Sequence, residues 1–503
     1  MDINKILLIS APVDSEQDRV EAVNNKCFFH LGLLTIKRRL KHFFRDLEIK
    51  IVDGDLMANI EKLKKEIESF RPEIVGISVL TPTYKSALEI AEYAKYKANV
   101  PFVVFGNDHA SFFPELILEK RNYVDFIIKN DNGDLDLVNL VSALKNDIDP
   151  FTLVSNLYGR ANNMTKLSPA RHILLKDRLT GMEFMPDFGE IDNDSYTILA
   201  KNYNEKFGKF HPDKTVKPFL INNAVGCRNC SRRCLYCSIY DLTPEDGNPN
   251  FFWDSLWKYY TEYDLNFFFE VCDNFGGRER YISNLIKQMP TWFPDSDVDL
   301  MVYCDALSIY ENPHIINNFR KLNVRRVNMG LDAGDTNSLK ALKRYTSADI
   351  NSVAVEKLTE AGIQIHCSFI LGCLGESHES IDNTVQFINK LSRNQNVVAI
   401  EISPFFPLPN SPAWELFIGQ PKSWFKDMAE ITNYLSSFGI KNHEELWALS
   451  RKVFSNNDII DLSYASSLWT EYFTNISYDR QTQLISSLHK ELSSAGKVIG
   501  GFA

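Results

Sequence analysis

The chain of 503 residues has no run of 18 apolar residues, so no membrane-crossing helix is expected. It has no surplus of positive charge: Lys+Arg 55 against Asp+Glu 65 leaves a formal net charge of -10. A surface of that sign does not draw in a polyanion, and no nucleic-acid partner is expected. Glycine (23) and proline (20) are not in excess, which excludes a fibrous or wholly disordered chain. No G-x-G-x-x-G follows the first strand candidate, so a nicotinamide or flavin dinucleotide reading lacks its main support. The opening MDINKILLISAP has a short apolar run without a small-residue cleavage signal; it is not read as a secretory leader, and a cytoplasmic location is expected. What the chain does have is cysteine in one place. Four of its nine cysteines fall between Cys227 and Cys237, a clustering that points to metal or redox chemistry in a reducing compartment, not to disulfides.

A chain of this length exceeds one ordinary hydrophobic core, so several domains are expected. Residues 1–150 alternate apolar runs with helical spacing. The runs Lys5–Ser10, Ile49–Val52, Glu73–Leu80, Pro101–Gly106 and Val124–Ile128 predict strands buried on both faces. With right-handed crossovers they predict an α/β, Rossmann-like doubly wound domain. Its ligand would sit beyond the carboxyl ends of the strands, at Ser10–Pro12, Asp53–Asp55, Ser78–Tyr84, Gly106–Ala110 and Lys129–Gly133. Residues 151–215 have weak periodicity and read as a connector. Residues 426–503 read as a helical C-terminal domain, from DMAEITNYLSSF, HEELWALSRKVF and RQTQLISSLHKELSSA.

Between them, Gly226–Tyr240 reads GCRNCSRRCLYCSIY. Cys230, Cys234 and Cys237 form C-x3-C-x2-C with Tyr236 before the last cysteine, and Cys227 precedes them in a C-x2-C step. Soft thiolates so close together converge on one centre only in a tight loop, and they select zinc or iron–sulfur. Structural zinc usually takes two separated ligand pairs, which this spacing does not provide. After the cluster come strand-like segments at Asn266–Cys272, Asp299–Cys304, Arg325–Gly330, Ala361–Leu371 and Val397–Ser403. With Phe219–Asn223 they predict six βα units, a partial (β/α)6 TIM-like barrel over residues 216–425. Its chemistry is expected at the carboxyl-terminal mouth.

These segments together resemble the radical S-adenosylmethionine (SAM) superfamily, in the branch with an N-terminal cobalamin (B12)-binding domain. The resemblance rests on the cysteine triplet, on GLDAGD (Gly330–Asp335), LKALKRYTS, AGIQIHCSFILGCLGES and PFFPLPNSPAW in the barrel, and on FFHLGLLTIKRRLK, EIVGISVLTPTYKSALEIA and VVFGNDHASFFPE in the first domain. It implies a [4Fe-4S] cluster on Cys230, Cys234 and Cys237, with Cys227 outside the ligand set. It implies SAM contacts at Tyr236, Gly276, Gly277, Asp305, Asp332, Arg344, Gly372 and Glu376. Cobalamin would lie against Ser78, Thr81, Tyr84, Gly106, Asn107 and His109. Two departures stand out: Asn107 takes the second position of a glycine pair, and VDFIIKNDNGD lacks the acidic Gly-Glu-Gly-Glu pattern. The classical Asp-x-His-x-x-Gly cobalt-ligand motif is also absent.

The activity implied is a cobalamin-dependent methyl transfer in a biosynthetic or peptide-modification pathway. A 5′-deoxyadenosyl radical takes hydrogen from a small-molecule or peptide substrate, methylcobalamin supplies the methyl group, and flavodoxin or ferredoxin supplies the electron. The alternative is a cobalamin-free rearrangement, cyclisation, epimerisation or oxidation started by the same radical. A methylthiotransferase acting on RNA would need further cysteines in the first domain, where only Cys27 occurs. Cys304 and Cys367, in or beside barrel strands, are candidates for a hydrogen donor or base at the mouth. His366 is expected on the strand face opposite Cys367, as a core or helix-facing residue.

Overall fold

In the computed structural model, residues 2–57, 59–129, 133–161, 164–168, 181–227, 234–239, 244–343 and 345–500 are described. The chain divides into two units. Residues 2–202 with the short segment 457–460 form the first, and residues 203–456 and 461–500 the second. No described helix is long and apolar enough to cross a membrane.

The first unit is built on β1 (Lys5–Ser10), β2 (Glu48–Asp53), β3 (Ile74–Ser78), β4 (Phe102–Gly106), β5 (Phe126–Ile128), β6 (Leu157–Ala161) and β7 (Met164–Leu167). The sheet order is β2-β1-β3-β4-β5-β6-β7. The first five strands run parallel, and both faces are covered. Leu7, Ile9, Val75, Ile77 and Phe105 pack on helices Ile60–Phe70 and Tyr84–Tyr96. Ile6, Leu8, Ile74 and Val104 pack on helices Leu31–Phe43 and Gly133–Lys145. Burial on both sides is why these strands read as unbroken apolar runs.

The last two strands lie where a connector is expected, and they pair antiparallel. They are short, with polar residues at Arg160, Thr165 and Lys166, and the edge is held instead by Arg160, whose guanidinium donates to the carbonyls of Leu118, Arg121, Asn122 and Val124.

The second unit contains a small antiparallel pair, β9 (Ala224–Val225) with β10 (Glu245–Asp246), and a curled parallel sheet. The sheet comprises β8 (Pro218–Ile221), β11 (Phe267–Glu270), β12 (Asp299–Tyr303), β13 (Val324–Asp332), β14 (Gln364–Leu371), β15 (Val397–Pro404) and β16 (Val498–Ile499). Its order is β16-β15-β14-β13-β12-β11-β8, a partial barrel. The six expected strands are present, and the chain end adds a seventh beside β15.

Side-chain alternation sets which face is the lumen. Phe268 packs on Tyr259 of helix Pro249–Tyr263, and Phe369 on Phe387 of helix His378–Ser392, so these point outward. Phe267 and Phe269 point inward. The floor is closed by the fully buried Arg326, which donates to Gln364 Oε1 at 2.9 Å and Tyr203 OH at 3.1 Å and lies 4.3 Å over the Phe207 ring.

The C-terminal helices Met428–Ser437, His443–Phe454, Leu462–Phe473 and Tyr478–Ser494 are amphipathic, as their spacing predicts for three of the four. Two of them hold the end of β14: Gln481 Nε2 donates to Leu371 O at 2.5 Å and Trp469 Nε1 to Gly372 O at 2.8 Å.

Candidate active site

The cysteine segment begins at the end of β9. Cys230 lies outside the described residues. Cys234 and Cys237 share one turn, closed by Cys237 N–H on Cys234 O at 3.1 Å. Leu235 pins that turn, donating to Leu342 O at 2.8 Å and accepting from Ala413 N–H at 2.9 Å. Both cysteines are half-buried and in no disulfide. A soft-donor pair on a single pinned turn fits an iron–sulfur group. Cys234 Sγ lies 3.5 Å from Tyr345 OH, and burial pushes its thiol up in the absence of a metal.

Beside the turn is a buried trio. Tyr236 OH donates to Asp332 Oδ2 at 2.9 Å, and Lys343 Nζ lies 2.6 Å from the same oxygen and 3.0 Å from Gly330 O. Burial acts to lower the Lys343 ammonium, but the Asp332 carboxylate outweighs it and leaves it raised. Asp332 has φ 60, the left-handed region that Asp and Asn tolerate better than most residues, and this aims its carboxylate back at the loop. Arg344 lies outside the described residues; its neighbour Lys343, which the sequence reading passed over, meets the acid.

Gly276 and Gly277 follow β11 in a short turn. A Cβ on Gly276 would sit 2.0 Å from Cys304 Sγ, and one on Gly277 2.7 Å from Asn274 Nδ2. Gly276 therefore has no room for a side chain, whereas at Gly277 only the end of the Asn274 side chain stands in the way. Asp305 caps helix Ala306–Glu311 through Ser308 N–H at 2.7 Å and accepts from Asn274 Nδ2 at 3.2 Å. Cys304 is buried, its thiol pushed well up by desolvation. Cys367 shares a face with Phe369, toward the helices, and burial pushes its thiol up to about 12. His366 lies on the opposite strand face from Cys367, as expected, and is a core residue of the lumen; burial, then Arg326, lowers it to about 3. Cys367, a candidate for the mouth, faces the helices instead.

Gly372 has φ 95, and its N–H donates to Glu376 Oε2 at 2.5 Å, while Cys373 Sγ donates to Glu376 Oε1 at 2.9 Å. Burial raises the Glu376 carboxyl to about 7.

Sequence reasoning missed Arg278, the residue that closes the cluster loop. It is fully buried, and its guanidinium reaches the start and the end of that loop. It donates to the carbonyls of Val225, Gly226 and Glu245, to Asp246 Oδ1 at 2.5 Å, and from Nε to Cys272 Sγ at 2.9 Å. Burial holds the Cys272 thiol up to about 12, so Asp246 is the anion of the group. The one signal was position: Arg278 directly follows the glycine pair.

In the first unit, the carboxyl ends of β3 and β4 form a corner. Asn107 has φ 75, and its Nδ2 donates to Ser78 Oγ at 2.9 Å. Ser78 Oγ lies 3.2 Å from His30 Nε2, and His30 Nδ1 is buried with no hydrogen-bond partner. A Cβ on Gly106 would meet nothing nearer than Ile128 O at 3.8 Å. This half of the corner offers polar atoms to a ligand and fits the hydrogen-bonding tail of cobalamin.

The other half is filled by residues 457–460. Tyr84 OH donates to Asp458 Oδ2 at 2.6 Å, Arg121 holds the same carboxylate at 2.7 and 3.0 Å, and His109 Nε2 lies 2.8 Å from Asp458 O. Thr81 Oγ1 sits 3.2 Å from His109 Nδ1. Burial lowers the His109 imidazole to about 4, so it stays neutral. Nothing in the sequence announced Asp458.

Two family models match the chain: the B12 binding domain over residues 27–134 and the Radical SAM superfamily over residues 225–388. The chain belongs to the radical SAM superfamily and carries an N-terminal B12-binding domain; these models imply SAM with an iron–sulfur cluster in the second unit and cobalamin in the first.

Among curated proteins it is similar to the uncharacterized methyltransferase PH0819 of Pyrococcus horikoshii, 24% identical over 430 residues, covering 83% of this chain and 84% of that protein. Its fold is similar to that of TsrM from Kitasatospora setae, a radical S-adenosylmethionine methyltransferase solved with cobalamin and a [4Fe-4S] cluster bound. That match has a TM-score of 0.63 at 14% identity, covering 98% of this chain and 100% of that one. The cobalamin-dependent S-adenosylmethionine radical enzyme OxsB, with aqua-cobalamin bound, matches with a TM-score of 0.58 at 16% identity. The match covers 97% of this chain and 62% of OxsB, so this chain spans less than two thirds of that protein.

Proposed function

We propose that the protein is a cobalamin-dependent radical SAM methyltransferase that methylates carbon in a small-molecule or peptide substrate, with an external one-electron donor such as flavodoxin or ferredoxin. The observation that carries this reading is the order of the two matched domains in one chain, in front of a cysteine turn pinned beside the Tyr236–Asp332–Lys343 trio. The similarity to a methyltransferase along most of both chains supports it. The bound groups would supply one-electron cleavage of a sulfonium and a transferable methyl group.

The chain's own residues hold and orient. Cys230, Cys234 and Cys237 would ligate the cluster, and Arg278 fixes the ends of their loop. Lys343 neutralises Asp332, which leaves the Tyr236 hydroxyl fixed as a donor and its ring as a wall. Gly276 and Gly277 let backbone approach where a side chain would block. Ser78, Gly106, Asn107 and His30 would receive the cobalamin tail.

A second reading, a radical rearrangement, cyclisation, epimerisation or oxidation without cobalamin, draws on one observation. Tyr84 and His109 are already engaged by Asp458. The products separate the two readings. Reduced, reconstituted protein given SAM and a turned-over substrate should form both 5′-deoxyadenosine and S-adenosylhomocysteine. Turnover that gives 5′-deoxyadenosine without S-adenosylhomocysteine would favour the second reading.

A further inference from the structure

Barrel interiors are ordinarily packed with branched apolar side chains. In this barrel, the strand register places polar groups on the lumen side above the Arg326 floor. Tyr303 on β12 pairs with Asn328 on β13, and Ser368 on β14 pairs with Glu401 on β15. Asn328 is 6% exposed, and its Oδ1 has no hydrogen-bond partner. Among the described residues, no cation or donor is bonded to the Glu401 carboxylate, and desolvation alone raises its carboxyl. Tyr303 is 37% exposed, so this level of the lumen is open where the floor is not. Its ring lies 5.0 Å from that of Phe269, and its hydroxyl is influenced by both Asn328 and Glu401. A half-buried carboxylate and a buried carbonyl oxygen left without partners are costly to the fold. Among the described residues nothing else is bonded to either group, so the natural partner is a ligand.

We infer that Glu401, with Asn328 and Tyr303, forms a substrate-recognition subsite in the barrel lumen that takes the protonated nitrogen of an amine-bearing substrate, its body lying against the Phe269 and Tyr303 rings. The ammonium donates to Glu401 and to Asn328 Oδ1, charge-assisted bonds in a region of low dielectric. The aromatic faces attract the same cation. The subsite's purpose rests on the methyltransferase reading, but its binding chemistry does not.

The test uses three probes with one body: phenethylammonium, 2-phenylethanol and phenylacetate, titrated into the anaerobically reconstituted protein by calorimetry. The amine should bind the wild type at least about tenfold more tightly than the alcohol, the worth of one charge-assisted hydrogen bond, and phenylacetate most weakly. In Glu401→Gln the preference for amine over alcohol should fall below about twofold, and Glu401→Asp should keep part of it. Equal affinity of amine and alcohol in the wild type overturns the subsite without reference to any variant, as does a preference unchanged in Glu401→Gln. An amine preference in a protein that forms no methylated product would uphold the subsite and refute the methyltransferase reading. Methylation without the preference would do the opposite.

Discussion

Replacing Arg278 with methionine tests whether the cluster loop is held by one guanidinium. Arginine has five N–H donors, and here all five are used, on the carbonyls of Val225, Gly226 and Glu245, on Asp246 and on Cys272. Methionine fills much of the volume and donates nothing. Asp246 is partly exposed and recovers some hydration, whereas a carbonyl left unsatisfied in the interior costs roughly 1–3 kcal/mol. Allowing for relaxation of the loop, the loss is about 4 kcal/mol, within the range seen when one partner of a buried ionic group is removed. Arg278→Lys keeps the charge but presents its donors from a single point, so about half of that loss is expected.

The chain's seven tryptophans all lie between Trp253 and Trp469, in the second unit, so tryptophan fluorescence in urea reports that unit alone. The midpoint should fall in the order wild type, Arg278→Lys, Arg278→Met, and iron retained after anaerobic reconstitution should fall in the same order. An Arg278→Met protein with a wild-type urea midpoint and wild-type iron would refute the reasoning.

Three further outcomes follow from buried charges elsewhere. Lys343→Met leaves the Asp332 carboxylate buried with the Tyr236 hydroxyl but no cation, and should cost roughly 3–5 kcal/mol in the same urea assay; adding Asp332→Asn should recover part of it. His211 and His366 are each lowered to about 3, by burial first and then by Arg326, so below the ordinary histidine value of about 6.5 the unfolded chain binds protons that the folded chain does not. Stability of the second unit should therefore fall as pH drops from 6.5 toward 3, by up to about 1.4 kcal/mol per pH unit for each histidine. Gln at either position should flatten that slope in urea titrations at stepped pH. Asp458→Asn weakens the grip of Arg121 and should speed hydrogen exchange in helix Tyr84–Tyr96; Tyr84→Phe should then add less than it does in the wild type, because both act on one carboxylate.

The elements legible in the sequence are those whose pattern follows from burial. The five parallel strands of the first unit are apolar throughout because helices cover both faces, and the six barrel strands end at recognisable polar turns such as Asp273-Asn274 and Asp305. Strands β6, β7 and β16 were not legible, being two to five residues long, with β7 and β16 at sheet edges. In the site, Cys234, Tyr236 and Asp332 lie together, positions for which the sequence carried a family resemblance and no derivation from spacing. Arg278 and Lys343 did not announce themselves, because a buried cation is defined by the carbonyls and acids around it, and those are distant in sequence. Asp458 is the extreme case, meeting His109 across 349 positions. Cys367, a candidate for the mouth, faces the helices instead, because strand alternation gives the lumen face to His366 and Ser368.

The measurement that bears most directly on the central claim is cofactor content. The protein should be reconstituted anaerobically with iron, sulfide and hydroxocobalamin, freed of excess, and analysed for all three per chain. The account predicts about four irons, with matching sulfide, for one open-site cluster, together with one cobalamin. A full cluster with no retained cobalamin would contradict it, and would mean that Asn107 and the Asp458 contacts close the first unit to that cofactor.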